Sequence, residues 1–128
     1  MSLILTEEQH ILRQTAAEFV HSKSSRKRIR ALRDGADPLG FSRDLWREMA
    51  ALGWVGLLLP EEHGGSALGY LDLAVVMEEL GRGLVPEPMI ATALLGANAI
   101  LLGGSESQKR EILPPLARGE LLLALGYQ

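Results

Sequence analysis

Apolar positions along the chain recur at helical spacing, and convincing strand patterns are absent. Thr6-Glu7-Glu8-Gln9 has the form of a capping box, in which the threonine hydroxyl accepts from the Gln9 amide and the Gln9 side chain reaches back. Behind it Ile11, Leu12, Ala16 and Phe19 form an apolar stripe. A short helix over 26–33 follows, stopped by Asp34-Gly35 with Pro38 beyond. Ser42 reads as the cap of the next helix, with Asp44 in its first turn favouring the helix dipole. Leu45, Met49 and Leu52 give that helix its apolar face, Trp46 lies alongside, and Gly53 fits the position just past its end.

The second half repeats the pattern with fewer charges. Over 70–84, Leu73, Met77, Leu80 and Leu84 make one stripe, and Ala74, Val75 and Val76 widen it until little of the helix can face water. Pro86 and Pro88 break the pattern before an uncharged helix that opens at Met89. Ser105-Glu106-Ser107-Gln108 is a second capping box and starts a segment running through Ile112 and Leu113 to Pro114-Pro115. The tail "LARGELLLALGYQ" turns apolar and stops without a cap or turn, which reads as a chain cut before its partner elements. The expected fold is all-α, an antiparallel helical bundle of about five or six helices with short connections. Either two very apolar helices lie in its middle, or one is covered by a neighbour.

Composition narrows this further. A chain of 128 residues, 47% hydrophobic, is one domain able to bury a core. Aromatic residues are only 5%, so aliphatic and alanine packing must dominate. A formal net charge of −3 gives no overall pull toward nucleic acid or anionic lipid. The absence of cysteine removes disulfides, thiolate nucleophiles and cysteine zinc sites, and fits a cytoplasmic location. "MSLILTEEQH" lacks the basic and apolar regions of a signal peptide. The uncharged stretch 89–104 falls short of the ~20 apolar residues a spanning helix needs. A helix buried on all sides is the better reading.

The candidate chemistry is thin. In "LLLPEEHGGSALGY", residues 57–70, Glu61, Glu62 and His63 are consecutive, so their side chains diverge instead of sharing a face as metal ligands do. Gly64-Gly65 lies outside any phosphate-cradle motif, and a corner needing positive φ accounts for both glycines. Glu78 and Glu79 are adjacent on a helix and cannot act as a facing pair, which leaves them as solvated or capping carboxylates. No nucleophilic triad assembles. Lys23, Arg26, Lys27, Arg28, Arg30 and Arg33 form a basic run with no acid between residues 21 and 33. Without aromatic stacking residues it suits a solvated face, or contact with another subunit or an anionic ligand, better than nucleic acid. The residues alone therefore describe a helical bundle with no catalytic residue, no metal site and no complete active site.

The order of motifs resembles the N-terminal helical domain of acyl-CoA dehydrogenases, FAD-dependent enzymes that desaturate acyl-CoA thioesters. The resemblance begins at Thr6-Glu7-Glu8-Gln9 and continues at Leu45-Trp46 through Gly53. It then takes in Gly56-Leu57 and Pro60-Glu61 through Gly64-Gly65, the "VMEELGR" helix from Val76 to Arg82, and Gly104-Ser105, Gln108-Lys109, Leu113-Pro114 and Gly119-Glu120. Together these cover nearly all of the chain in register. The stretch "GRGLVPEPMIATALLGANAILLGG" further resembles a bacterial subgroup acting on pimeloyl-CoA and steroid side chains, some members of which pair a catalytic subunit with one that has lost the base.

The resemblance implies that residues 1–128 are one domain, with a middle β-domain and a C-terminal helical domain outside this chain. It implies α,β-desaturation in the full-length protein, in which a carboxylate takes the Cα proton and hydride passes from Cβ to flavin. Both the base and most of the FAD site would lie in the missing parts, so this fragment alone is expected to be inactive and flavin-free. The helix after "EELGR" lines the acyl cavity in the family, which puts Met89, Ile90 and Thr92 near the acyl tail. The family's flavin-contacting threonine falls near Gln128, and that departure puts the usual contact in doubt. Implied partners are acyl-CoA, an electron-transfer flavoprotein or similar acceptor, and further subunits in a homo- or hetero-oligomer. Against this stands a non-catalytic helical module that binds a partner through its apolar C-terminal segment.

Overall fold

The computed structural model describes residues 4–35 and 37–126, and all regular structure among them is helical. Six α-helices follow one another: α1 (Glu7–Lys23), α2 (Arg26–Asp34), α3 (Arg43–Ala51), α4 (Tyr70–Arg82), α5 (Ala97–Gly103) and α6 (Glu106–Ala117). A 3-10 turn at Glu61–His63 precedes α4, and a π-helical segment, Met89–Gly96, runs straight into α5.

The chain divides into two compact units. The first comprises residues 1–42 and 71–86. The capping box at its start is formed as expected: Gln9 N donates to Thr6 Oγ1 at 3.2 Å, and Thr6 N donates back to Gln9 Oε1 at 3.1 Å. Ala16 and Phe19 are buried, but Ile11 is 65% exposed, so the stripe passes through Gln9, Ala16 and Phe19 instead. Gln9 earns that place by donating its side-chain amide to Asp72 Oδ1 at 3.0 Å, which ties the start of α1 to the start of α4. At the other end Ser24 Oγ donates to the Gly83 carbonyl at 3.1 Å, and Val20 leaves no room for a Cβ on Gly83. Like ends meet, so α1 and α4 run side by side in the same direction. The antiparallel expectation rests on short connections and does not constrain two helices this far apart in sequence. On α4, Leu73, Val75, Val76 and Leu80 are buried while Leu71, Ala74, Glu78 and Gly81 are exposed. The helix therefore has a wet face that its composition hid. Leu84 lies past its end and is 66% exposed.

The second unit comprises residues 43–70 and 87–128 and holds both tryptophans in its core, with Met49, Val55, Leu57, Leu59, Leu113 and Leu116. Gly53 ends α3 at φ +84, with Gly53 N donating to Ala50 O and Trp54 N to Met49 O, the paired bonds of a left-handed helix stop. Leu52 falls within this stop and is exposed, off the apolar face predicted for it. Gly64 takes φ +81, but Gly65 does not share that conformation. A Cβ there would lie 2.0 Å from the Leu59 carbonyl oxygen, so Gly65 is required by close backbone approach. His63 is buried in this corner, with Nε2 3.7 Å from Glu62. α5 packs on α6, and α6 packs on the corner. α6 does not stop at its prolines: Pro114 and Pro115 sit inside it, and it ends at a second glycine stop, Gly119, at φ +73.

Candidate functional site

The uncharged helix from Met89 is the element that the family resemblance links to the acyl chain. Pro88 lacks an amide and sits at the N-cap, the Met89 amide donates to Glu87 O at 2.7 Å, and the Thr92 amide donates to Pro88 O at 3.0 Å. The following residues widen into π-helical turns, a geometry found more often at functional positions than in plain scaffold.

The three residues expected at the acyl tail are not brought onto one face. Met89 is 2% exposed and Thr92 is fully buried, whereas Ile90 is 55% exposed. Thr92 has a definite structural task. Its hydroxyl donates to the Leu123 carbonyl at 2.9 Å and accepts from the Leu123 amide at 3.2 Å. One turn on, a Cβ on Gly96 would sit 2.5 Å from the Leu123 Cβ, so only glycine lets the extended tail lie this close. Thr92 and Gly96 thus form the seat of the tail at Leu123, a role the sequence did not disclose because the tail gives no helical signal.

The opposite side of this helix is apolar and open. Tyr70, Leu94, Leu95, Ala99, Leu102 and Leu125 line a shallow concavity of about 460 Å³. Leu102 is 80% exposed and Tyr70 61%. Asn98 supplies its polar group, donating to Leu94 O at 2.8 Å and accepting from Tyr70 Oη at 3.2 Å. The expectation of burial on all sides is therefore corrected: the helix is uncharged but two-faced. Lack of charge suggests burial, yet it also marks a face made for an apolar neighbour.

No acid–base or metal constellation accompanies this surface. Among the described residues no group of three or more histidine, aspartate or glutamate side chains lies together as metal ligands would. Glu79 is buried rather than solvated, 3.7 Å from Arg82 Nε, while Glu78 holds the same guanidinium at 2.6 Å on the surface. That double pairing raises the Arg82 pKa above its ordinary value, chiefly through the Glu78 hydrogen bond. The Gly64-Gly65 corner is closed over Leu59, which leaves no backbone concavity for a diphosphate. Gln128 lies outside the described residues. No helix among them is long and apolar enough to cross a membrane.

Comparison with known proteins follows the same geometry. The family description "Acyl-CoA dehydrogenase, N-terminal domain" matches residues 6–120. The mitochondrial isovaleryl-CoA dehydrogenase of Pongo abelii is 37% identical over 124 residues, 95% of this chain and 29% of that protein. Acyl-CoA dehydrogenase IpdE2 of Mycolicibacterium smegmatis is 37% identical over 103 residues, 80% of this chain and 32% of that protein. Among solved structures, a variant of the Tcur3481-Tcur3483 steroid ACAD superposes with a TM-score of 0.82 at 35% identity, covering 92% of this chain and 32% of that one. The chain thus spans about a third of the length of the relatives it matches.

Proposed function

Because the chain belongs to the acyl-CoA dehydrogenase N-terminal domain family, we propose that it serves as the helical first domain of an FAD-dependent acyl-CoA dehydrogenase. The observation that carries this reading is the match over residues 6–120, together with an open apolar helix face free of acid–base groups. A domain of this kind shapes and shields a site; it does not perform the bond-breaking. The reaction is α,β-desaturation of an acyl-CoA thioester. Its base and its flavin site are supplied by a middle β-domain and a C-terminal helical domain outside residues 1–128. The protein works in the cytoplasm as a homo- or hetero-oligomer and passes electrons to an electron-transfer flavoprotein or a similar acceptor.

Met89, Ile90 and Thr92 are the residues proposed to meet or support the acyl tail. Ile90 projects outward and would make the contact, while Met89 and Thr92 hold the helix in place behind it. Gln128 is proposed to stand near the flavin. A second reading, a subunit of a heteromeric pair that has lost its base, draws support from the structural relative named for two proteins, Tcur3481 and Tcur3483. The test is dye-linked oxidation by the full-length protein across fatty-acyl, branched-acyl and steroid-acyl CoA thioesters. Flavin reduction by at least one class is expected, with Ile90→Phe shifting preference toward shorter chains. A full-length protein that binds flavin yet is reduced by none of them would overturn the catalytic reading and favour the heteromeric one.

A further inference from the structure

The tail does more than rest on the helix. Leu125 stands with Leu94, Leu95, Ala99 and Leu102 around the apolar concavity and so supplies one of its walls. The other lining residues sit in helices, whose backbone bonds hold them in place. Residues 121–126 have no helix, turn or strand of their own, so the place of Leu125 depends on what anchors the tail.

Two contacts on the buried side of the helix supply that anchor. Leu123 has both of its backbone groups on one hydroxyl: its amide donates to Thr92 Oγ1, and its carbonyl accepts from it. Thr92 is fully buried, so water does not compete for these bonds. The missing side chain of Gly96 sets how near the tail lies, since a Cβ there would meet the Leu123 Cβ. Leu125 follows two residues later, at most about 7 Å of chain, and cannot stray far from the concavity while Leu123 is held.

The polar atoms beside the concavity are satisfied among themselves. Tyr70 Oη donates to Asn98 Oδ1, and Asn98 Nδ2 donates to Leu94 O. A surface of this kind favours plain hydrocarbon over a polar substituent, which would lose water and gain little in return.

Building on the acyl-CoA dehydrogenase reading above, we propose that Leu125 is a specificity-determining residue for the alkyl part of the acyl-CoA. Thr92 is its positioning residue, acting through Leu123 without touching the alkyl chain. The bulk at position 125 limits how long an unbranched chain fits, and the Thr92 hydroxyl keeps that limit in place.

The experiment measures flavin reduction in the full-length protein by butyryl-, octanoyl- and dodecanoyl-CoA, for the parent, Leu125→Phe, Leu125→Ala, Thr92→Val and Thr92→Ser. The readout is the ratio of kcat/KM between the longest and the shortest thioester, in which any loss of folded protein cancels. Leu125→Phe should lower that ratio by about tenfold or more, and Leu125→Ala should raise it by a similar factor. Thr92→Val should move it in the direction of Leu125→Ala, and Thr92→Ser, which keeps the hydroxyl, should stay within about twofold of the parent. Ratios unchanged by both Leu125 substitutions would overturn the proposal while leaving the acyl-CoA reading intact. A shift shared equally by Thr92→Val and Thr92→Ser would overturn the part assigned to the hydroxyl. A parent reduced only by branched or steroid thioesters would overturn the proposal too, and one reduced by no acyl-CoA would overturn the reading beneath it as well.

Discussion

Leu84 closes α4 with a backbone that most side chains avoid. Its φ is +52, and the bonds from Leu84 N to Gly81 O and from Val85 N to Leu80 O are those that Gly53 and Gly119 make at the ends of α3 and α6. A leucine here carries the left-handed penalty without gaining burial in return. Leu84→Gly is therefore expected to raise stability by about 1 kcal/mol in urea unfolding. Gly65→Ala should act the other way, costing ~3 kcal/mol or more, because its methyl would strike the Leu59 backbone. Sequence could not separate these cases. The pair Gly64-Gly65 reads as a turn, and nothing in the letters distinguishes a glycine needed for φ from one needed for space. Likewise "GRGLVP" advertises two glycines, and the chain uses the leucine after them as its stop.

Helix beginnings were legible at the element scale and helix faces much less so. Both capping boxes form as their residues require, since the relevant bonds are local and leave a local signature. The uncharged helix misled because periodicity reports where apolar residues sit, not what covers them. Its inner face could not be read without the tail that lies against Thr92. Thr92→Val keeps the volume and removes the hydroxyl that serves Leu123 twice. It should cost about 1–2 kcal/mol and speed hydrogen exchange at the Leu123 amide, while exchange in α1 stays unchanged. A Leu123 amide as protected in the variant as in the parent would contradict the tie. The prolines of α6 suggest an end in the sequence but lie inside the helix. The helix carries on past them through bonds such as Arg118 N to Pro114 O, at 3.2 Å.

Three carboxylates among the described residues hold exposed basic partners or stand exposed themselves. Asp34 is held below the usual carboxylate range by the hydrogen bonds from Arg33, Glu106 by Lys109, and Glu120 by Arg118. A carboxylate lowered in the folded state contributes above its unfolded pKa and loses that contribution as pH falls through the folded value. Stability should thus decline gently on acidification below about pH 4, and salt at about 1 M should flatten the decline. A midpoint that rises on acidification would contradict this. As for the candidate site, the helix is legible in the sequence but its inner and outer faces are not. Met89 and Thr92 face inward, and the outward surface belongs to Leu95, Ala99 and Leu102, which share a face only once the helix is wound and placed.

The parallel pairing of α1 and α4 has a consequence in time. Gln9 must find Asp72, and Ser24 must find Gly83, across a stretch that belongs to the other unit. During synthesis α1 leaves the ribosome long before its neighbour exists, so its apolar stripe stays bare until the codons for α4 have been read and cleared the exit tunnel. The second unit is split by a similar span of chain, between α3 and α6. Closing so long a loop is entropically costly, which makes the docking of α1 a late event. Nascent chains stalled between residues 50 and 70 should then be the ones that trigger factor and proteases engage most readily.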